Sequence, residues 1–434
     1  MSISRALPVI PCLLALAASA LAASTDELEQ SFNPYRNGLP KVPGLAAGTV
    51  INKDNVEQFK DAIDPGLYLT IKKGWQDVRV GPTTPFPVDA AKLEATRKSL
   101  GKTKLGPKPG DIEGYGSGRP FIEEPDLNDP RAGEKLALNF KYSAGAGESA
   151  TIFPFYWRYR DMKSGAIERT IKFSFHFLKY KHRTHEPAPE ILPNPSNVLL
   201  GIYGKVLEPL DMKNTQLLIH RYDDDHKIDD AYMYYGFQRR VRRLATGQTT
   251  DAFLGSDVMI EDFEGYNAQI SDMKWTYKGS QTLLLPLFNH SELTLASDMP
   301  AEADGFRFVN FGGYGGCFME VTWQLRKVFV VEAEPLASTH PVSKRVFYLD
   351  AQSMHINRTL IYDRRGELWK IGTIGKSHPD FHLPDNRGVG APIDDAFSAV
   401  DVQAMHCTTG QFKGRVDAAT NRPSLFQVQN MRGD

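Results

Sequence analysis

The chain has 434 residues, enough for one large or two ordinary domains, and a formal net charge of −1. Such neutrality excludes an overall field that would gather nucleic acid or hold an acidic membrane. Apolar residues at 41%, with 24 Phe and 17 Tyr, supply a core and exclude a disordered chain.

Met1 to Arg5 is a short basic start, residues 6–21 are almost wholly apolar, and Ala20-Leu21-Ala22 sets small residues where a signal peptidase cuts. Residues 1–22 are therefore expected to be a secretory signal. Polar Ser24 to Glu27 follows too soon for a membrane span, and no later stretch is long and apolar enough for one. The mature chain then works outside the cytoplasm, away from ATP and NAD pools. Cys12 precedes most of the apolar run, which argues against a lipid anchor. The pair Cys317 and Cys407 is expected to bond in an oxidising compartment; two separate buried thiols are the alternative.

Residues 24–50, rich in Pro and Gly, read as an extended arm. Asn52 to Asp54 offers caps for a helix over 54–63, with Val56, Phe59 and Ile63 on one face and Asp64-Pro65-Gly66 as its stop. Recurrent Pro and Gly from Gly81 to Asp129 predict a covering segment with little regular structure. Strands dominate after Lys135, so residues 23–134 form an N-terminal part and residues 135–434 a sheet domain with a C-terminal extension.

In Ile171-Lys-Phe173-Ser-Phe175-His-Phe177 every second residue is large and apolar, the pattern of a half-buried strand. Asp161 to Gly165 marks a hairpin turn before it. Val198 to Tyr203 is apolar on both faces, as in a strand covered on two sides. Val321, Trp323 and Leu325 alternate with polar residues, and Asp363-Arg-Arg-Gly366 is a turn between two further strands. Short helices are expected over 257–264 and 393–406. The fold class is mainly β: a large antiparallel sheet, strongly curved or partly closed, with a few covering helices.

Chemistry-bearing motifs are sparse. Gly114-Tyr-Gly-Ser117-Gly118 has the wrong spacing for a nucleophile elbow, and Phe311-Gly-Gly-Tyr-Gly-Gly316 lacks the Lys-Ser/Thr of a phosphate loop. His176, His182 and His185 cluster; His378 and His382 flank Asp380, where Pro379 and Pro384 oppose a helix. The acidic run Asp223-Asp-Asp225-His226 with Asp229-Asp230 lacks the Gly and final Glu of a calcium loop. Arg239, Arg240, Arg242 and Arg243 alternate faces in a strand, so some are expected inward, bonded to Asp257, Glu261 or Asp262. An exported location counts against nucleic acid as their partner.

Gln238 to Arg243, followed by Gly255-Ser-Asp257 and Glu261-Asp-Phe263, resembles the central signature of periplasmic lipoprotein carriers of the LolA/LolB type. More closely, the chain is similar to the bacterial family known as domain of unknown function 1329. That pattern includes Pro43-Gly44, Gly48 to Asn55, Asp129 to Gly133, Lys344 to Asp350, and Ile361 to Trp369. The resemblance spans most of the mature chain. It implies an open antiparallel half-barrel, helices across its mouth, and an apolar concavity for acyl chains. It also implies a periplasmic setting beside pumps of the resistance-nodulation-division type and an outer-membrane partner, with no catalytic residues and no cofactor.

The chain is thus expected to bind or transfer a lipophilic ligand in the periplasm, without catalysis. Phe173, Phe175, Phe177, Tyr203 and Trp323 are the candidate lining, with ordinary packed core as their other reading. An exported hydrolase built on His378, Asp380 and His382, or a structural envelope protein, are the alternatives.

Overall fold

A computed structural model describes residues 25–143, 147–244, 248–416 and 420–432. The expected signal, with Cys12, lies outside the described residues. Within them the chain is mainly β, on one sixteen-stranded sheet that does not close into a barrel.

The N-terminal part is more helical than its Pro and Gly content suggests. Helix α1 has its described residues at 25–32, where an extended arm was expected. Strand β1 (Val50–Ile51) leads into a 3-10 turn over Val56–Ala62, within the expected helix. Asp64-Pro65-Gly66 does not stop a helix but starts one, α2 (Pro65–Lys72): the Asp64 carboxylate accepts from Gly66 N at 2.9 Å and Leu67 N at 3.0 Å, and Pro65 takes the first helical position. After β2 (Val78–Val80) the covering segment holds α3 (Ala90–Ser99), capped by Asp89, then β3 (Lys104–Leu105) paired with β4 (Ile112–Glu113), then α4 (Ala132–Ser143). Helix α3 is polar, so no apolar period announced it.

The long strands follow in sequence: β5 (Ser149–Asp161), β6 (Ile167–Lys179), β7 (Val198–Glu208), β8 (Gln216–Tyr222), β9 (Asp230–Tyr235), β10 (Arg240–Arg243) and β11 (Met273–Leu285). Then come β12 (Leu287–Phe288), the small pair β13 (Phe311–Gly312) and β14 (Phe318–Met319), β15 (Thr322–Pro335), β16 (Val342–Asp350), β17 (Ile356–Asp363), β18 (Leu368–Ser377), β19 (Ile393–Asp401) and β20 (His406–Val416). The sheet order is β1-β2-β15-β16-β17-β18-β19-β20-β5-β6-β7-β8-β9-β10, with β11 also on β15 and β12 on β18. Pairing is antiparallel except for β2 with β15 and β12 with β18. The β20–β5 ladder, with Gly410 opposite Trp157 and Phe412 opposite Phe155, joins the C-terminal strands to the first long hairpin.

Residues 393–406 are a strand and a turn, not a helix. Ile393, Ala396, Phe397 and Val400 fall at helical spacing, but β19 is covered on both faces and pairs β18 and β20 throughout. Residues 257–264 hold a 3-10 turn, Ile260–Gly265, broken at Phe263 and at Glu264, whose φ is 57°. Cys317 and Cys407 are bonded, with Cα atoms 6.0 Å apart, tying the glycine-rich 311–316 stretch to β20.

Candidate functional site

The alternation in β6 sends Phe173, Phe175 and Phe177 to one face, where they meet Ile152, Phe155 and Trp157 of β5 and Phe412 of β20. Phe155 lies 4.8 Å from Phe412 and 5.6 Å from Phe175, ring centre to ring centre, and Trp157 lies 4.9 Å from Phe397. These are tilted and edge-on contacts. Gly410 makes room for them, because a Cβ there would strike the rings of Phe397 and Phe155.

The segment 257–270 lies over this aromatic wall and is held by charge. Arg345 of β16, fully buried, donates to Asp262 at 2.9 Å and to Glu261, while His340 adds a contact to Glu261 at 3.2 Å. Burial alone would raise the Glu261 carboxyl, yet His340 and Arg345 hold it below its ordinary value; burial keeps Asp262 above its own. Asp257 takes Thr408 Oγ1 at 2.7 Å and His406 Nδ1 at 2.8 Å, and its backbone carbonyl takes Lys370 Nζ at 2.6 Å. Arg221 donates to Asn267 O at 2.7 Å. The runs Lys344 to Asp350 and Glu261 to Phe263 therefore meet through Arg345.

Between wall and cover run two adjoining cavities that share Ile152, Phe177, Glu264 and Asp394. One, of about 930 Å³ with its mouth, is lined by Phe155, Trp157, Phe175, Phe263, Ile361, Phe397 and Phe412. The other, of about 1160 Å³ with its mouth, is lined by Phe140, Tyr142, Leu199, Ile202, Tyr266 and Ile270, with Lys179, Arg221 and His355. At their junction Lys376 bonds Asp394, and Glu264 stands beside that pair. Burial pushes the Glu264 carboxyl well up, the Asp394 charge pushes the same way, and Lys376 opposes. Burial, then the charges of Lys376, Lys92 and Arg119, hold the His355 imidazole well below its usual value.

Phe175 and Phe177 stand on the cavity wall, and Phe173 lies beside them, 2% exposed, facing a small neighbouring hollow. Tyr203 packs in a separate cluster with Leu178, Tyr180 and Phe426, and its hydroxyl donates to Gln216. Trp323 sits in a third cluster with residues of α2, under the Arg358 guanidinium. The arginine run differs from expectation. Arg240, Arg242 and Arg243 are exposed on the end strand β10, which pairs on one side only, and Arg243 pairs with Asp230. Arg345, Ile152, Trp157, Phe397 and Glu264 were missed. They come together only through tertiary packing, and of the β5 residues only Phe155 and Trp157 keep the two-residue spacing, a bulge separating them from Ile152.

The histidine and acidic clusters weighed as metal motifs come apart. His176 bonds Ser174 and Asn421; His182 bonds Asp223 at 2.8 Å; His185 lies 3.5 Å from Asp89. Asp223 also takes Lys181, Asp225 takes Lys141, and Asp229 takes Arg221, so the acidic run is a set of ion pairs, partly buried. His378 reaches Pro85 O at 3.1 Å and accepts from Asp380 N, while the Asp380 carboxylate takes Gly388 N at 2.8 Å. His382 turns instead to His290 and Asp395, and these three place donor atoms within 4.8 Å of one another.

Two imidazoles and a carboxylate suit iron(II) or zinc. The hydrogen bonds decide against it. Asn386 Oδ1 accepts from Val416 N at 3.0 Å and Nδ2 donates to Gly414 O at 2.9 Å, so the second Nδ2 hydrogen faces His382 Nδ1 at 2.9 Å. That network assigns the proton of neutral His382 to Nε2, which points at Asp395 Oδ1, 3.5 Å away, and offers a metal no lone pair. His290 Nδ1 meets Asp395 at 2.5 Å. Burial lowers His290, but the Asp395 charge outweighs it and raises the imidazole above its usual value; the two histidines outweigh burial and hold Asp395 down at about 2. The group is a His290–Asp395 pair with the His382 ring beside it.

A model of a protein family of unknown function, DUF1329, matches residues 50–432. An uncharacterized protein of Pseudomonas aeruginosa is 25% identical over 366 residues, covering 81% of this chain and 72% of its own. Among solved structures, the chain is similar to a putative outer membrane lipoprotein-sorting protein domain from Vibrio parahaemolyticus, with a TM-score of 0.48 at 15% identity over 70% of this chain and 99% of that one. A DUF1329 family protein from Desulfovibrio piger gives 0.47 at 13%, over 71% and 100%. A LolA superfamily protein from Nitrosomonas europaea gives 0.39 at 9%, over 68% and 98%.

Proposed function

The chain belongs to the DUF1329 family, and from that premise we propose that it is a periplasmic protein that binds or transfers a lipophilic ligand in the cavity between β5, β6 and the 257–270 cover. The observation that carries the reading is the lining. Aromatic and aliphatic side chains predominate around the hollow, and a hollow of that kind takes apolar molecules. An open half-barrel is the sheet shape this reading needs. Ile361 of β17 and Phe175 of β6 face the same cavity although five strand spacings separate their strands. On a flat sheet that is roughly 24 Å, too far for one such hollow, so bending supports the half-barrel.

As carrier, the protein would exchange its ligand with envelope transport machinery, a resistance-nodulation-division pump and an outer-membrane partner being the setting we infer. No helix among the described residues is long and apolar enough to cross a membrane. The test uses protein purified from the envelope: lipid extraction with native mass spectrometry, and titration of the emptied protein with an apolar naphthylamine dye. A co-purifying lipid and a saturable dye site that this lipid empties are expected. Protein that carries no lipid and takes up no dye would sink the proposal and favour a structural envelope role.

A further inference from the structure

The face of β6 that bears Phe173, Phe175 and Phe177 continues, two residues on, to Lys179. Lys179 lines the larger cavity and also a smaller one, of about 430 Å³ with its mouth, which shares Tyr142, Gly147 and Glu148 with it. Lys92, from the first turn of α3, lines that smaller cavity too. An aromatic rail thus ends at two ammonium groups.

We infer that the ligand is an amphiphile with a single anionic head, a carboxylate or a phosphate monoester, bound between Lys92 and Lys179 with its tail along Phe177. The inference rests on the reading of the cavity as an apolar-ligand site. Each ammonium carries three donors. Among the described residues Lys179 Nζ donates to Tyr142 O at 2.9 Å and Lys92 Nζ to Ser143 O, one bond apiece, both to carbonyls ending α4. The nearby acids are already engaged. Glu148 accepts from the backbone N–H groups of Thr184 and His185 and from Thr184 Oγ1, and Asp89 caps α3 through Ala91 N and Lys92 N. Asp89 and Glu148 line the same cavity without reaching ion-pair distance of either lysine among the described residues, and burial lowers both ammonium groups. Burial, then the Lys179 charge, bring Lys92 down to about 7; burial brings Lys179 down to about 8 against the pull of Glu148. An anionic head would come within ion-pair distance of both ammonium groups and accept their remaining N–H groups.

The emptied full-length mature protein is loaded with a fluorescent conjugated fatty acid, which is displaced by hexadecanoate, hexadecyl phosphate, hexadecanol or hexadecylamine. The two anions should displace it at least ~10-fold more tightly than the alcohol, about the effect of one charge-assisted hydrogen bond, and the amine most weakly. Lys92→Gln with Lys179→Gln should bring the anions to the level of the alcohol and leave the alcohol unchanged. Equal affinity for acid and alcohol in the unaltered protein overturns the head-group assignment alone, with no variant needed. Displacement by none of the four overturns the cavity reading with it. A retained preference for anions in a variant that melts normally overturns the role of the two lysines.

Discussion

Arg345 shows how one buried charge can govern a site it does not line. Its guanidinium faces Glu261 and Asp262 at the root of the cavity cover, and all three are held out of water. Replacing it with Met leaves Asp262 unpaired and Glu261 with His340 alone, which should cost about 3–5 kcal/mol by chemical denaturation. The cover should loosen first, so dye affinity should fall at temperatures where the rest remains folded. Normal dye binding in Arg345→Met would remove the cover from the site. Glu264 gives a second reading at this scale, in pH. Its carboxyl is raised, so the fold keeps a proton that the unfolded chain releases from about pH 4.5 upward. The folded state then binds more protons than the unfolded one, and stability falls as pH rises, until the folded carboxyl ionises as well. In Glu264→Gln that contribution is absent. The melting temperature of the unaltered protein minus that of the variant should decline steadily above pH 4.5; a pH-independent difference would mean that Glu264 is ionised throughout.

Individual elements were legible where polar and apolar residues alternate or where turn residues bound an apolar run, and hidden where a covered strand also fits a helical period. β6 and β15 declared themselves by alternation, and the Asp161 and Asp363 turns by their residues. β19 was misread because both its faces are covered, which lets apolar residues satisfy a helical period and a strand equally. Capping misled at Asp64, where Pro65 opens α2 instead of closing the element before it. The Cys317–Cys407 bond was legible from an even pair of cysteines in an exported chain, and it fastens a turn otherwise held by Tyr314, which stacks on Trp75 and bonds its carbonyl through N–H. The 3-10 turn at Tyr314–Gly316 has no buried residue of its own. Removing the bond by changing both cysteines to Ala reopens a link across 90 residues, and should cost about 4 kcal/mol, chiefly through the unfolded chain. Two titratable thiols in unreduced, unfolded protein would show that the bond does not form.

At the scale of the molecule, the same residue type does different work in different interiors, and sequence alone could not sort them. Phe177 and Trp323 both alternate with polar neighbours in long strands, and both were candidates for the lining. The sheet carries Phe177 to the cavity shared by β5, β6 and the cover, and Trp323 to a cluster where α2 and β1 pack over β15. Which interior a strand faces depends on pairing between segments far apart in sequence, such as β20 with β5, and no local pattern records that. A charge introduced at each position should separate the two. In Trp323→Asp the carboxylate has neither water nor an open partner, since Arg358 already pairs with Asp64 at 2.8 Å. Lost packing with a buried charge should cost at least about 4 kcal/mol and bring the melting temperature down steeply. In Phe177→Asp water can enter the cavity and solvate the carboxylate, so the melting temperature should change little while affinity for the apolar dye is lost. Equal collapse in both variants would mean that the space beside Phe177 is as tightly filled as that around Trp323, and the cavity would then be too rigid to admit a ligand.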